Sequence, residues 1–247
     1  MKISGNTILL TGGGSGIGRA LAQRWADAGN TVIVAGRRLE ALEETGRGRS
    51  SIHPVQFDAS DAKATEAFVA TLLHNFPALN VLVNNAGIMR VEDPTGRRDL
   101  ADAEATIATN LLGPIRLIDA LVEHLSAQPD SAIVNVTSGL AFVPLPRTPT
   151  YSATKAALHS YTQALRVRLA GKVEVIELAP PGVQTELTPG QSTREGYQPL
   201  DEFIDEVMTL FAQQPTPPEI LVQRVQPLRF AERDGTHAER LAHLAAL

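Results

Sequence analysis

Residues 7–18 read Thr-Ile-Leu-Leu-Thr-Gly-Gly-Gly-Ser-Gly-Ile-Gly, a short apolar run followed at once by a glycine-rich turn. The apolar run predicts a buried strand. Beyond the turn, apolar residues recur three or four positions apart as far as Ala28, which predicts a helix that Gly29 ends. A second apolar run at 31–35 predicts the next strand. A strand, a glycine turn, a helix and a strand within about 30 residues indicate the start of a parallel β-sheet.

The alternation of strands and helices continues through most of the chain. Further strands are predicted at 52–57, 81–83, 132–136 and 173–178, and further helices at 39–45, 62–76, 99–126 and from Tyr151 onward. This order predicts an α/β fold, a doubly wound parallel sheet of the Rossmann type with six or seven strands and helices on both faces. No repeat, low-complexity tract or linker interrupts the pattern, so a single domain is expected over residues 1–247.

The sequence changes character near residue 185. Gly, Pro, Ser and Thr dominate residues 185–200, which predicts a mobile substrate loop. Apolar residues at helical spacing predict a helix at 201–213. Residues 219–247 are rich in charges and are predicted to form a helical C-terminal extension, with a short helix at 219–225 and a terminal helix at 235–247.

The composition narrows the class of protein. A net charge of −5 and a pI of about 5.7 argue against a surface for nucleic acid or anionic membranes. The chain has no cysteine, which excludes disulfides and thiolate chemistry. The apolar runs have the length of strands and fall short of the roughly 20 residues of a membrane span. The histidines lack metal-ligand spacing, so we expect no metal site and a soluble, cytoplasmic protein without nucleic-acid or membrane partners.

The glycine turn predicts a phosphate-binding site. A helix that begins at the carboxyl edge of a parallel sheet offers unpaired N–H groups to an anion, and glycines let a pyrophosphate approach the backbone. The residues expected to contact it are Gly12, Gly14, Ser15, Gly16 and Ile17. No Gly-Lys-Ser/Thr follows, so a P-loop NTPase is excluded. The alternative is a turn that serves packing alone.

The end of the second predicted strand indicates which dinucleotide binds. A carboxylate there accepts hydrogen bonds from the ribose hydroxyls of NAD. This chain has Arg37 and Arg38 instead. Guanidinium groups form charge-assisted contacts with a 2′-phosphate, so the sequence favours NADP(H). The alternative is that both arginines simply begin a solvated helix.

Tyr151 and Lys155 are four residues apart in a predicted helix, so they share one face. At about 5 Å and an effective dielectric constant of about 20, an ammonium stabilises a phenolate by about 3 kcal/mol, or about 2 pKa units. We therefore expect Lys155 to lower the pKa of Tyr151 toward the range of proton exchange near neutrality. The alternative is a chance pair without a catalytic role.

Together these motifs resemble the short-chain dehydrogenase/reductase family. The resemblance covers about residues 5–185 and is carried by five elements in order, which are Thr11-Gly-x-x-x-Gly16-x-Gly18, Asn84-Asn85-Ala86-Gly87, Asn110, Ser138 and Tyr151-x-x-x-Lys155. It implies that Tyr151 is the general acid or base and that Ser138 binds the substrate oxygen. It further implies that Lys155 holds the nicotinamide ribose and that Asn110 holds a water linking Lys155 to solvent. Ser138 as a simple turn residue and Asn110 as an ordinary buried amide remain alternatives.

The resemblance also implies further cofactor contacts. Asp58 and Ala59 would face the adenine, and Asn85, Ala86 and Gly87 would line the ribose side. Asn84 is expected to brace its strand. The family's usual Pro-Gly after the sixth strand is altered here, because Pro181 stands at the glycine position when the motif is counted back from Thr185. In that register the Val183 backbone and Thr185 lie beside the carboxamide.

Two features set this chain apart within the family. No seventh-strand signal is visible near the C-terminus, so we expect a homodimer formed through the helices that contain Asn110 and Tyr151. The Ala-Gly-Arg-Arg turn at 35–38 and the stretch 229–235 are similar to oxidoreductases of the D-alanylation-operon type. This similarity assigns no substrate.

The function implied is NADP(H)-dependent hydride transfer between nicotinamide and a small-molecule carbonyl or alcohol, with carbonyl reduction favoured. A dinucleotide-binding sensor or scaffold without turnover is the alternative, and a nucleotide-sugar epimerase or dehydratase is disfavoured by chain length. An apolar substrate wall is expected from Met89, Leu140, Phe142, Val143, Pro144, Leu145 and Leu187. Arg90 and Arg147 are candidates to meet an acidic group on the substrate.

Overall fold

The computed structural model describes residues 1–246. Within that range seven strands form one sheet in the order β3-β2-β1-β4-β5-β6-β7, and every neighbouring pair is parallel. The strands are β1 (Thr7–Thr11), β2 (Thr31–Gly36), β3 (Ile52–Gln56), β4 (Leu79–Asn84), β5 (Ala132–Val136), β6 (Glu174–Leu178) and β7 (Glu219–Ile220). The predicted fold class is confirmed.

Helices cover both faces of the sheet. They are α1 (Gly16–Asp27), α2 (Leu39–Gly46), α3 (Ala64–Asn75), α4 (Ala101–Ile107), α5 (Gly113–Ala127), α6 (Pro149–Arg168), α7 (Leu200–Phe211), α8 (Gln226–Arg229) and α9 (His237–Ala245). The terminal helix was predicted to reach Leu247, which lies outside the described residues. The predicted substrate loop at 185–200 contains a short 3₁₀ turn, Gln191–Thr193.

Two hydrophobic clusters form the core, one on each face of the sheet. Ile8 and Leu10 point into the cluster that contains Trp25, whereas Leu9 points into the cluster that contains Leu121. This alternation follows from the two-residue period of a strand. Because both faces are buried, the central strands are largely aliphatic, as their sequences predicted.

The predicted helix at 99–126 is continuous but irregular. A π-helical turn, Ala108–Leu112, joins α4 to α5 and carries the buried Asn110. Such turns are rare and occur mostly at functional sites. In the described chain the segment Ala101–Ala127 is long and apolar enough to span a membrane by length and composition alone. Its buried side contributes Leu117 and Leu121 to the core, as core helices of globular proteins do.

The C-terminal prediction is wrong at its first element. Residues 219–220 form strand β7 rather than the start of a helix, and a 3₁₀ turn, Gln223–Val225, follows. The Glu177 N–H donates to the Pro218 carbonyl at 3.0 Å, and the Ala179 N–H donates to the Ile220 carbonyl at 3.3 Å. A strand of two residues is too short to show alternation in the sequence. The homodimer was expected because the sequence shows no seventh strand. Strand β7 removes that reason, and the homodimer stays a prediction.

Candidate active site

A cleft of about 500 Å³ lies at the carboxyl ends of the central strands. Every residue predicted to bind cofactor or act in catalysis lines it, except Asn110. The cleft therefore brings together the glycine turn, the two arginines, Ser138 and the Tyr151–Lys155 pair from four separate parts of the chain. This is the edge at which open parallel sheets bind their ligands.

The glycine turn is closed to side chains at Gly12, Gly13 and Gly18. Gly12 has a φ of +71°, and a Cβ there would lie 2.9 Å from the Ala86 Cα. A Cβ at Gly18 would lie 2.3 Å from the Gly12 carbonyl oxygen. These contacts explain the spacing of the glycines, which gives the turn its tight path into the N-terminus of α1.

The end of β4 holds the turn in place. The Thr11 hydroxyl oxygen accepts from the Asn85 and Ala86 N–H groups, each at 3.1 Å. The Asn85 side chain donates back to the Thr11 carbonyl at 2.9 Å. Asn84 donates to the Asn135 side chain at 2.9 Å, which braces β4 against β5 as expected.

Arg37 and Arg38 are exposed on the cleft at the end of β2. Among residues 1–246, no side chain forms an ion pair or a hydrogen bond with either guanidinium group. Asp58 lies on the same side of the cleft, and the Ser60 N–H and hydroxyl group donate to one of its oxygens at 2.9 and 2.7 Å. The two guanidinium groups on the cleft are therefore available to an anion.

Tyr151 lies in the first turn of α6, and Ser138 follows β5. The Tyr151 side chain is buried and is hydrogen-bonded to Ser138. Burial raises the pKa of Tyr151 to about 12, although the Ser138 bond acts in the opposite direction. Lys155 is buried as well, and burial lowers its pKa to about 8. The prediction that the pKa of Tyr151 falls toward neutrality is therefore wrong, because desolvation of the phenol dominates.

Asn110 lies behind the cleft rather than in it. Its side chain pairs with both backbone groups of Ile88, accepting from the N–H and donating to the carbonyl, each at 2.9 Å. It also donates to the Thr154 hydroxyl at 3.3 Å. A Cβ on Gly87 would lie 3.4 Å from the Asn110 Oδ1 and 3.7 Å from the Lys155 Nζ. Asn110 and Lys155 therefore both lie close to Gly87, so the two side chains are near each other as predicted. Asn110 holds the backbone of Ile88, which lines the cleft.

Val183 and Thr185 both line the cleft, whereas Gly182 packs against the ring of Tyr197. This arrangement agrees with the register counted from Thr185. The buried Gln191 holds both residues by donating to the Val183 carbonyl at 2.9 Å and the Thr185 hydroxyl at 3.2 Å. Sequence reasoning missed Gln191, since nothing in the polar loop sets it apart.

The predicted apolar substrate wall is largely wrong. Of its seven residues only Leu187 lines the cleft, while Val143 and Leu145 are buried in the protein interior. In the run 140–145, Val143 and Leu145 turn into the interior, whereas Pro144 is exposed and lies outside the cleft lining. Arg90 does line the cleft and pairs with Asp102 at 3.5 Å, whereas Arg147 does not line it.

A buried polar network behind Ser138 was also missed. The Thr137 hydroxyl donates at 2.6 Å to Glu177, whose other oxygen lies 2.7 Å from the His159 ring. Glu219 lies beside this pair and forms two hydrogen bonds with Arg229, at 2.8 and 2.9 Å. The potential metal-ligand atoms of His159, Glu177 and Glu219 lie within 4.8 Å of one another, a spacing compatible with a metal ion. All three side chains are already hydrogen-bonded to protein groups, so the network works as an internal brace.

Known proteins match the chain over most of its length. A family model described as short chain dehydrogenase matches residues 6–196. The oxidoreductase DltE of Bacillus subtilis (strain 168) is 41% identical over 237 residues, which cover 94% of each chain. A short chain dehydrogenase of Burkholderia cenocepacia J2315 in complex with NADP has a TM-score of 0.82 at 26% identity, covering 98% of this chain and 99% of that one. The closed form of serine dehydrogenase complexed with NADP⁺ has a TM-score of 0.76 at 25% identity, covering 84% and 89%.

Proposed function

Because the chain belongs to the short-chain dehydrogenase/reductase family, we propose that it is an NADP(H)-dependent oxidoreductase that reduces a carbonyl substrate. The resemblance to the family and to its D-alanylation-operon type, read from the sequence, is confirmed. The observation that carries the proposal is the buried Ser138–Tyr151 hydrogen bond beside Lys155, on the wall of a cleft that also holds the glycine turn.

The residues of the cleft fit a nicotinamide dinucleotide. The glycine turn lines the cleft at the N-terminus of α1, and the guanidinium groups of Arg37 and Arg38 line the same cleft without a side-chain partner among residues 1–246. Gly12 to Ile17 would hold the pyrophosphate, Arg37 and Arg38 the 2′-phosphate, and Asp58 and Ala59 the adenine. Lys155, Val183 and Thr185 would hold the nicotinamide side. When bound, this cofactor supplies the hydride.

The protein's own residues handle the proton. Ser138 and Tyr151 donate hydrogen bonds to the substrate oxygen, where negative charge develops during reduction. Tyr151 then gives its proton to that oxygen as the general acid. A phenol with a pKa of about 12 is fully protonated at neutral pH, which favours the acid role over the base role. Lys155, as an ammonium, stabilises the phenolate that is left behind.

Two observations support NADP(H) over NAD(H). The end of β2 carries Arg37 and Arg38 and no carboxylate. Two structurally similar proteins, the Burkholderia cenocepacia dehydrogenase and serine dehydrogenase, were solved with NADP and NADP⁺. The test is a screen of NADPH oxidation over aldehydes, ketones and keto acids, repeated with NADH. Faster turnover with NADPH is expected. Equal or faster turnover with NADH would contradict the assignment of the arginines, and binding of NADPH without turnover would favour the sensor alternative.

We also propose that the protein acts as a cytoplasmic homodimer. The helical segment Ala101–Ala127 and α6 expose Ile107, Leu112 and Val167, with 40%, 38% and 77% of their surface accessible. Apolar side chains of this size on adjacent helices suit a contact between two copies. Sedimentation velocity should show a species of twice the chain mass, and a stable tetramer or a monomer at micromolar concentration would contradict the dimer.

A further inference from the structure

Helix α6, which carries Tyr151 and Lys155, begins without a cap of its own. The side chain of Thr148, at the N-cap position, makes no capping hydrogen bond, and the first turn contains no acidic residue. Pro149 occupies the first helical position and has no N–H to satisfy. The N–H groups of the first turn need acceptors, because helix N-termini leave them unpaired.

Glu92 supplies the acceptor from a distant part of the chain. It lies in the loop between β4 and α4, and one carboxylate oxygen accepts from the Thr150 N–H at 3.2 Å. The other oxygen accepts from the Thr150 hydroxyl at 2.7 Å. The Glu92 N–H donates to the Arg147 carbonyl at 2.9 Å, so backbone and side chain both bind the segment that leads into α6.

The Glu92 carboxylate is buried and charged. Only 3% of its side chain is exposed, and Arg98 forms an ion pair with it from the same loop. Burial by itself raises the pKa of Glu92, but the bonds from Thr150 and Arg98 outweigh it and leave the pKa below the ordinary value. A carboxylate at this position also interacts favourably with the helix dipole. Glu92 is therefore ionised where it contacts the first turn of α6.

The contacts between Glu92 and Thr150 connect the segment that carries Tyr151 to the loop that lines the cleft. Thr150 immediately precedes Tyr151, and the loop that carries Glu92 also contains Ile88, which lines the cleft and is bound by Asn110. We propose that Glu92 is a positioning residue that acts as a remote N-cap of α6 and fixes the Tyr151 hydroxyl against Ser138. This inference rests on the role of Tyr151 as the proton donor, as proposed above.

The test compares Glu92→Ala, Glu92→Gln and a matched control, Asp93→Asn. Asp93 is the next carboxylate in the loop, is exposed, and accepts hydrogen bonds from the Thr95 N–H and hydroxyl group. On the best substrate of the screen, Glu92→Ala should lower kcat by roughly ten- to a hundred-fold, since small misplacements of reacting groups have effects of that size. Glu92→Gln keeps the acceptor for Thr150 and should recover part of the loss. The dissociation constant of NADPH, measured by fluorescence, should change less than about threefold in all variants.

Two further measurements distinguish a positioning role of Glu92 from a general loss of stability. The isotope effect on kcat with NADPH deuterated at the transferred hydrogen should increase in Glu92→Ala if the chemical step has slowed. Hydrogen exchange in the peptide 145–155 should increase in Glu92→Ala and stay unchanged in Asp93→Asn.

Unchanged kcat in Glu92→Ala, or equal losses of kcat in Glu92→Ala and Asp93→Asn, would overturn the inference. If the wild-type protein shows no turnover but hydrogen exchange still increases in Glu92→Ala, the capping role of Glu92 is supported and the proposed function is contradicted. If Glu92→Ala does not fold, an unchanged kcat and exchange in Glu92→Gln overturn the inference.

Discussion

The Lys155 ammonium lies 5.6 Å from the centre of the Tyr151 ring and donates a hydrogen bond of 2.8 Å to the Val136 carbonyl. The two groups were expected to meet because they are four residues apart on a helix. Their burial has opposite effects on their pKa values, since it disfavours the charged form of each group. The phenol is held neutral, and the lysine is brought close to losing its charge.

This pair predicts a pH dependence of carbonyl reduction. The pKa of Lys155 is lowered to about 8, so the ammonium is charged below pH 8 and neutral above it. Its charge stabilises the phenolate that forms as Tyr151 gives up its proton. We expect kcat for reduction to be highest at neutral pH and to fall as pH rises through about 8. A kcat that stays constant between pH 7 and 10 would contradict this role of Lys155.

Arg37 and Arg38 should set the preference for NADPH. Removing one hydrogen-bonded charge from a phosphate costs about 1.5–3 kcal/mol, which is roughly ten- to a hundred-fold in affinity. Arg37→Ala and Arg38→Ala should therefore lower kcat/KM for NADPH by about this factor and leave kcat/KM for NADH nearly unchanged. Arg47→Ala is the control, because Arg47 is exposed near the end of α2 and pairs with Glu44. Equal losses with both cofactors would show that the arginines act on the fold instead.

Asn110→Ala should lower both stability and activity. The change leaves the Ile88 N–H and carbonyl without their partners in the interior, where Asn110 is fully buried. An unsatisfied buried group costs about 1–3 kcal/mol. For a chain of this size, each kcal/mol lowers the melting temperature by about 2–4 °C. Asn110→Asp keeps the acceptor for the Ile88 N–H but places a carboxylate oxygen against the Ile88 carbonyl in the interior, so it should not restore the lost stability. Melting curves with no decrease for Asn110→Ala would contradict the bracing role.

The network behind Ser138 predicts an effect of Thr137→Val. This nearly isosteric change removes the 2.6 Å hydrogen bond to Glu177, a carboxylate with no exposed surface. We expect a loss of about 1–3 kcal/mol in the free energy of unfolding. We also expect a lower kcat, because Thr137 adjoins Ser138. Thr71→Val is the matched control, since the Thr71 hydroxyl is exposed and bonds within its own helix. Similar unfolding midpoints for the two variants would contradict the brace.

The sequence predicted the elements whose signals are local. Strands β1 and β5 match their predicted bounds because each is a short, mostly aliphatic run that is followed by a turn. The glycine turn and the Tyr151–Lys155 pair were also found, since each is a short motif with its own spacing. All the predicted cofactor-binding and catalytic residues except Asn110 line one cleft because parallel strands bring their carboxyl ends to one edge of the sheet.

The features that were missed depend on contacts between distant residues. Glu92 and Thr150 are far apart in the sequence, and no periodicity links them. Strand β7 has two residues and is defined by its bonds to β6. The π-helical turn at Asn110 does not interrupt the helical pattern of the sequence. The Tyr151 pKa was misjudged because burial cannot be read from a four-residue spacing.

The central claim is that Tyr151 gives its proton to a carbonyl that NADPH reduces. It is tested most directly by the single-turnover rate of NADPH oxidation in wild type and in Tyr151→Phe, with the best substrate of the screen and saturating cofactor. General acid catalysis contributes about 10²- to 10⁴-fold, so the rate should fall by at least about a hundredfold in Tyr151→Phe. NADPH binding should be retained. A Tyr151→Phe rate within about twofold of the wild-type rate would contradict the account.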